Sequence, residues 1–225
     1  MAYRRSCAHT LPIRVRPAIS VAVASLLAAA VSLADDWSSY RGGSARSGAT
    51  AESVAPPFAP LWSVPVEGRI LAPPVAAAGR VYAGTDAGRL YAFDAADGRI
   101  LWDAFAAGPI EGSPALDGGT VYVGSFGGDL LALRAETGET IWRIRHGGAQ
   151  EAPPLVLPDR VIVAVGGTTR ELRAYAKADG THLWTFTARY PLRSAGTRIR
   201  VAGRDVVVAG DTGGIWSAID ALAGP

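Results

Sequence analysis

The sequence predicts an all-β fold of four-stranded antiparallel blades, and three observations carry that prediction. In Gly88 to Trp102, GRLYAFDAADGRILW, the residues Leu90, Ala92 and Asp94 alternate with Tyr91 and Phe93, Asp97-Gly98 supplies a tight turn, and Ile100-Leu101-Trp102 opens a second apolar run. The pattern returns at Gly128 to Trp142, at Arg170 to Trp184 and again from Gly214, and Trp62, Trp102, Trp142 and Trp184 fall 40, 40 and 42 residues apart. The 225 residues are 49% hydrophobic and 19% charged, which suits a chain that buries a core, and no 3.6-residue apolar period lasts three turns after residue 35. Short strands in sets of four, repeated at about this interval, have the period of a β-propeller blade.

Taken in order, the chain opens on a segment of another kind. Arg4, Arg5, Arg14 and Arg16 precede an apolar run from Ala18 to Ala34, with Ser32-Leu33-Ala34 just ahead of Asp35-Asp36. Residues 1–34 are therefore expected to be a secretory signal peptide. The competing reading is an uncleaved anchor, but about 17 apolar residues fall short of a membrane span. Arg4-Arg5 raises twin-arginine export, which the flanking residues do not support.

Removal of this segment reverses the charge. The whole chain has 22 Lys and Arg against 20 Asp and Glu, a formal +2, and the segment holds four Arg and no acid, so the remainder is near −2. Such a balance gives no electrostatic reason to expect nucleic acid. The single cysteine, Cys7, leaves with the segment, so neither a disulfide nor a lipid-anchoring thiol is expected afterwards. Export to the periplasm or the exterior, without a stable span, is the expectation.

Residues 35–57 are rich in Gly, Ser and Ala and lack periodicity, so they are read as an arm, with Trp37 and Tyr40 as aromatics able to pin it to the folded body. Pro56-Pro57 marks the boundary of the repeat region, 58–225. Leu61 to Val66 is read as an isolated strand. Three sets of four strands follow over 74–187, and a last set of three covers Thr197 to Asp220. Sixteen strands are four blades' worth if Leu61-Trp62 stands in for the strand missing after Gly224. Two architectures meet that count: a small closed ring of four blades, or half of a larger propeller, either truncated or completed by a second copy as a homo-oligomer.

The run Ala92 to Trp102, AFDAADGRILW, is similar to the repeat A-x-D-x-x-T-G-x-x-x-W of the pyrroloquinoline-quinone (PQQ) repeat superfamily, which includes quinoprotein alcohol dehydrogenases and BamB-like secreted proteins. Asp97 stands where the family has Thr, and Arg134 and Ala176 where it has Asp, while Gly98, Gly138 and Gly180 are kept. Asp36-Trp37 with Tyr40-Arg41-Gly42 resembles the opening of many BamB-like proteins. The resemblance implies that the tryptophans dock one blade on the next, with Trp62, Trp102, Trp142 and Trp184 and the motif residues Ala92, Ala132, Ala174, Gly98, Gly138 and Gly180 as architecture.

Catalytic machinery must come from other residues. A quinoprotein dehydrogenase needs a metal held by carboxylate and amide oxygens, and this chain contains no Asn. Asp86, Asp103, Glu111, Glu151 and Asp211 recur in or near turns, where carboxylates are solvated turn residues. His146 and His182 lack partners at ligand spacing, and Ser113 and Ser194 lack a readable His or Asp partner. No catalytic, cofactor-binding or metal-binding residue is therefore assigned, and PQQ is unsupported by the residues. The connections between blades hold Arg143, Arg145, His146, Arg189, Tyr190 and Arg193, residue types frequent at protein interfaces. The expected function is a non-catalytic, BamB-like exported scaffold that binds proteins in the cell envelope. A divergent quinoprotein dehydrogenase and a small-molecule sensor are the alternatives.

Overall fold

The computed structural model describes residues 36–50, 53, 56–166 and 169–225, and period-two alternation between glycine turns gives these described residues fifteen strands. Residues 1–34, expected to be a signal peptide, lie outside the described residues. The first blade is β1 (Val75–Ala77), β2 (Arg80–Gly84), β3 (Arg89–Asp94) and β4 (Ile100–Phe105). The second is β5 (Ala115–Asp117), β6 (Thr120–Gly124), β7 (Asp129–Arg134) and β8 (Thr140–Arg145). The third is β9 (Leu155–Val156), β10 (Arg160–Val165), β11 (Glu171–Ala176) and β12 (His182–Thr187). The fourth has three strands, β13 (Thr197–Val201), β14 (Arg204–Gly210) and β15 (Trp216–Asp220). Each blade is an antiparallel meander with strands in chain order, and no strand of the first blade pairs with one of the fourth, so the described residues form a partial propeller.

One expected strand is absent. Leu61 to Val66 has no ladder partner among the described residues and is not a strand, nor does it complete the fourth blade. Its side chains act without its backbone: Trp62, Val64 and Val66 pack on Ala83, Tyr91 and Phe93 of the first blade. The Leu-Trp signature sets side-chain docking, whereas a ladder also needs a neighbouring edge.

Alternation divides every blade into two apolar faces, and the seams between blades are the core. Tyr82, Leu90 and Ala92 of the first blade meet Val121, Val123, Leu131 and Leu133 of the second. Tyr122, Leu130 and Ala132 then meet Val161, Val163, Val165 and Tyr175. In the third seam, Ile162, Leu172 and Ala174 meet Val207, Ala209 and Ile219. Each such large side chain contributes about 1.5–3 kcal/mol when fully buried.

A tryptophan closes each seam at its outer corner. A bulge in the β3/β4, β7/β8 and β11/β12 pairings sets Ala92, Ala132 and Ala174 opposite Trp102, Trp142 and Trp184. The indole Nε1 of Trp62 donates to the Ala95 carbonyl at 3.0 Å, Trp102 to Ala135 at 3.0 Å, Trp142 to Lys177 at 2.9 Å and Trp184 to Ala221 at 3.2 Å. Beneath each ring lies the turn glycine of the following blade: a Cβ on Gly98, Gly138 or Gly224 would stand 2.6, 2.7 or 2.8 Å from Trp62, Trp102 or Trp184. At Gly180 the nearest atoms would be Ile144 at 3.0 Å and Trp142 at 3.1 Å.

The arm is ordered by the first strands of the blades. Trp37 exchanges two backbone hydrogen bonds with Ala76 of β1, Ser38 accepts from the Leu116 amide of β5, and Ser44 accepts from the Arg198 amide of β13. The Arg46 guanidinium donates to the Pro153 carbonyl, just before β9, at 3.0 Å. Residues 37–46 thus touch the leading edge of all four blades. Among the described residues no helix is long and apolar enough to cross a membrane.

Candidate functional site

The β2–β3 type turns and the connections from one blade to the next gather at one end of the sheets, because each leaves or enters a blade at the same ends of its strands. The β3–β4 type turns, which seat the tryptophans, lie at the other. All six interaction residues expected from the sequence belong to the first end, in two groups.

Arg143, Arg145 and His146 converge on one corner of the second blade. The Asp129 side chain there is fully buried, and its carboxylate accepts from the Ala107 amide at 2.9 Å, from Arg145 Nε at 3.3 Å and from Arg143 Nη2. Register explains the arrangement, since Asp129 is paired with Arg145 and Leu131 with Arg143 across β7 and β8. Burial pushes the Asp129 carboxyl up, but the hydrogen bonds from Arg143, the Ala107 amide and Arg145 prevail and hold it below the usual carboxylate value. Ser125 Oγ donates to the Ala107 carbonyl at 2.9 Å and accepts from the Asp129 amide at 3.3 Å.

His146 is buried beside this corner. Its Nε2 meets Gln150 Oε1 at 3.3 Å, its carbonyl accepts from Arg173 at 3.0 Å, and its Nδ1 has no partner among the described residues. Burial holds its pKa below the usual histidine value, against the opposing hydrogen bond to Gln150. A shallow groove of about 360 Å³ runs past it, lined by Arg145, Glu171, Arg173, Tyr175 and His182.

The second group lies between the third and fourth blades. Arg189 stands over the Tyr190 ring at 5.6 Å, the Tyr190 amide donates to Asp211 at 3.2 Å, and Arg170 donates to the Arg189 carbonyl at 2.7 Å. Arg193 pairs with Glu151. The turn carboxylates are engaged likewise: Asp86 accepts from the Arg69 amide and Nε, Asp103 pairs with Arg89, and Asp211 accepts the amides of Gly213 and Ile215. Among the described residues no three of His, Cys, Asp and Glu converge as metal ligands do.

Two residues of this end were not singled out from the sequence, Asp129 and Gln150. An acid at the first position of a strand with Arg143 and Arg145 on the next was the available signal for Asp129. Nothing in the pattern marked Gln150, which occupies the position that Ile110 fills one blade earlier. The arrangement leaves cationic heads and aromatic rings outermost: Arg145 and Arg193 are largely exposed, as are Phe105, Phe126 and Tyr190 at 58, 47 and 41%.

The family model described as outer membrane protein assembly factor BamB matches residues 53–109 and 105–225. Among solved structures, BamB from Moraxella catarrhalis is similar at 22% identity and a TM-score of 0.58, over 68% of this chain and 46% of that one. A quinohemoprotein alcohol dehydrogenase from Comamonas testosteroni is similar at 21% identity and 0.56, over 65% and 33%. The computationally designed Ika4 protein is similar at 15% identity and 0.62, over 72% and 98%. The chain thus spans less than half of the Moraxella structure and about a third of the Comamonas one. No curated protein matches by sequence.

Proposed function

The chain belongs to the family of the outer membrane protein assembly factor BamB, within the PQQ-repeat propellers, and from that premise we propose that it is a non-catalytic envelope scaffold whose protein partners bind the end bearing Arg143, Arg145 and Tyr190. One observation carries the reading: exposed Phe105, Phe126 and Tyr190 share that end with outward arginines, over a layer in which Asp129, Ser125 and the Ala107 amide satisfy one another. Rigid aromatics and arginines above a satisfied polar layer are the composition of a binding hot spot. Export to the periplasm or beyond is part of the proposal, and it rests on the layout of residues 1–34 and on the family.

A quinone cofactor does not fit the residues present. Of the turn carboxylates, Asp86, Asp103, Glu151 and Asp211 are engaged with arginines or backbone amides, no three of His, Cys, Asp and Glu converge among the described residues, and the arm crosses the leading edges of the blades. The likeness to the Comamonas enzyme favours the dehydrogenase alternative at the level of fold alone.

Site-specific photo-crosslinking in the producing cell tests the proposal. A benzoyl-phenylalanine at Phe126 is expected to capture an outer-membrane assembly protein, and one at Ala96, on the opposite end, is not; Arg145→Glu should weaken the capture. Equal capture from both ends would count against the assignment, as would saturable binding of PQQ and calcium with dye-linked alcohol oxidation.

A further inference from the structure

Successive seams repeat one geometry, and against that background a single arginine lacks its partners. Arg160 opens β10 on the side of the fourth blade and is fully engaged: Nε and Nη2 donate to Asp159 at 2.9 and 2.7 Å, and Nη1 donates to the Ala221 and Leu222 carbonyls at 2.8 and 3.0 Å. Arg80 opens β2 in the same way on the side of the second blade. Its Nε is buried without a partner, and neither Nη atom makes a hydrogen bond or ion pair. Two differences in sequence account for this. Gly79 stands where Asp159 does, which removes the ion pair. Tyr82 stands where Ile162 does, and its hydroxyl donates to the Ala135 carbonyl at 3.0 Å; with Trp102 Nε1 it fills both lone pairs of the oxygen corresponding to that of Ala221. Asp94, opposite Arg80 across β2 and β3, is turned to the Ala96 amide and Arg99.

The freed guanidinium lines a cavity of about 510 Å³ between the first two blades, at the end that seats the tryptophans. That volume is within the range of small-molecule sites. Both flanking blades have all four strands. Leu116 and the Tyr82 ring give the cavity an apolar wall, and three carboxylates border it. Asp117 is neutralised by Lys177, Asp36 accepts only from the Ala78 amide, and Glu136 has no partner, so two uncompensated carboxylates share the cavity with one guanidinium. A plain anion meets repulsion there, and a plain cation leaves Arg80 without an acceptor. A molecule with both charges satisfies both sets of groups.

We propose that this cavity binds a free α-amino acid as its zwitterion, the carboxylate on Arg80 and the ammonium between Asp36 and Glu136. The planar fork of a guanidinium matches a carboxylate, and an ammonium brings three donors to two acceptors. The inference rests on this cavity and not on the scaffold reading, whose face is at the opposite end of the blades.

Calorimetry on the full chain with each of the common amino acids at millimolar concentration tests it. At least one is expected to bind saturably and to raise the melting temperature. Its N-acetyl derivative, which lacks the ammonium, and its amide, which lacks the carboxylate, should bind far more weakly. Arg80→Gln should weaken binding roughly tenfold to a hundredfold, the loss of a charge-assisted pair, and Glu136→Gln should weaken it less. Neither side chain has a partner in the fold, so both variants should keep the circular dichroism spectrum of the unmodified chain; if Arg80→Gln does not, the two derivatives and Glu136→Gln decide. Absence of binding by every amino acid overturns the proposal. So does an N-acetyl derivative or an amide that binds as well as its parent, or a folded Arg80→Gln chain of unchanged affinity.

Discussion

Replacing Gly138 by alanine measures how much of the blade seam rests on the tryptophan seat. Gly138 has φ +76°, and a Cβ there would meet the Trp102 ring at 2.7 Å. The left-handed backbone costs a non-glycine residue about 1–2 kcal/mol. Displacing a ring that also donates to Ala135 adds about 1–3 kcal/mol, the usual range for overpacking. A comparison at matched backbone separates the two: Gly119 has φ +77° with nothing within 4 Å of a Cβ, so Gly119→Ala should cost only the first amount. In urea, with a slope of about 2 kcal/mol/M, the excess for Gly138→Ala corresponds to a midpoint roughly 0.5–1.5 M lower than that of Gly119→Ala. In a Trp102→Ala background the excess should vanish, because the atom that would be struck is gone. Equal midpoints for the two alanine variants would refute the claim that these glycines are required by the seat and leave only their turn geometry.

Asp129→Ala should destabilise by about 1–3 kcal/mol, since it leaves the half-buried Ala107 amide without its acceptor, and urea denaturation will show whether it does. His146 has its folded pKa depressed below 6.5, so the unfolded chain binds the extra proton first: stability should fall as pH drops through about 6.5, levelling off below the folded pKa. Melting temperatures from pH 7.5 to 5 should therefore decline in the unmodified chain, and His146→Gln should flatten that part of the curve. Asp129, whose folded pKa is also lowered, contributes stability above the usual carboxylate pKa that disappears at still lower pH. Trp37→Ala should raise hydrogen exchange at the Ala76 and Leu116 amides, both bonded to the arm, while leaving the β7 and β8 amides protected.

The blades were legible because they are local. Glycine turns, period-two alternation and the Leu-Trp beat lie within one repeat, and the alternation from Leu90 to Asp94 falls inside β3. Leu61 to Val66 carries the same letters without the outcome, because a ladder requires an edge that the sequence of the segment does not supply. The candidate interaction residues were chosen by type and by their place in the connections between blades, and that choice carried no information on how they group. Arg143 and Arg145 are organised by a carboxylate fourteen and sixteen residues away, through a register fixed by a bulge. The path of the arm across four leading edges was unreadable for the same reason, since its partners are distant in sequence and its composition has no period.

That path has a kinetic meaning. The arm precedes every blade in the chain, yet its site exists only once the blades stand side by side, and the bond from Arg46 to Pro153 closes a loop of 107 residues. Contacts so remote in sequence are the slow ones in folding. Blades can assemble with their neighbours as each is completed, so the arm's attachment is set to be a late step, detectable as delayed protection of Ala76 and Leu116 in pulse-labelled refolding. Until then the leading edges stand bare, and the interval before the arm settles is when a newly made chain is most exposed to pairing with the wrong strand.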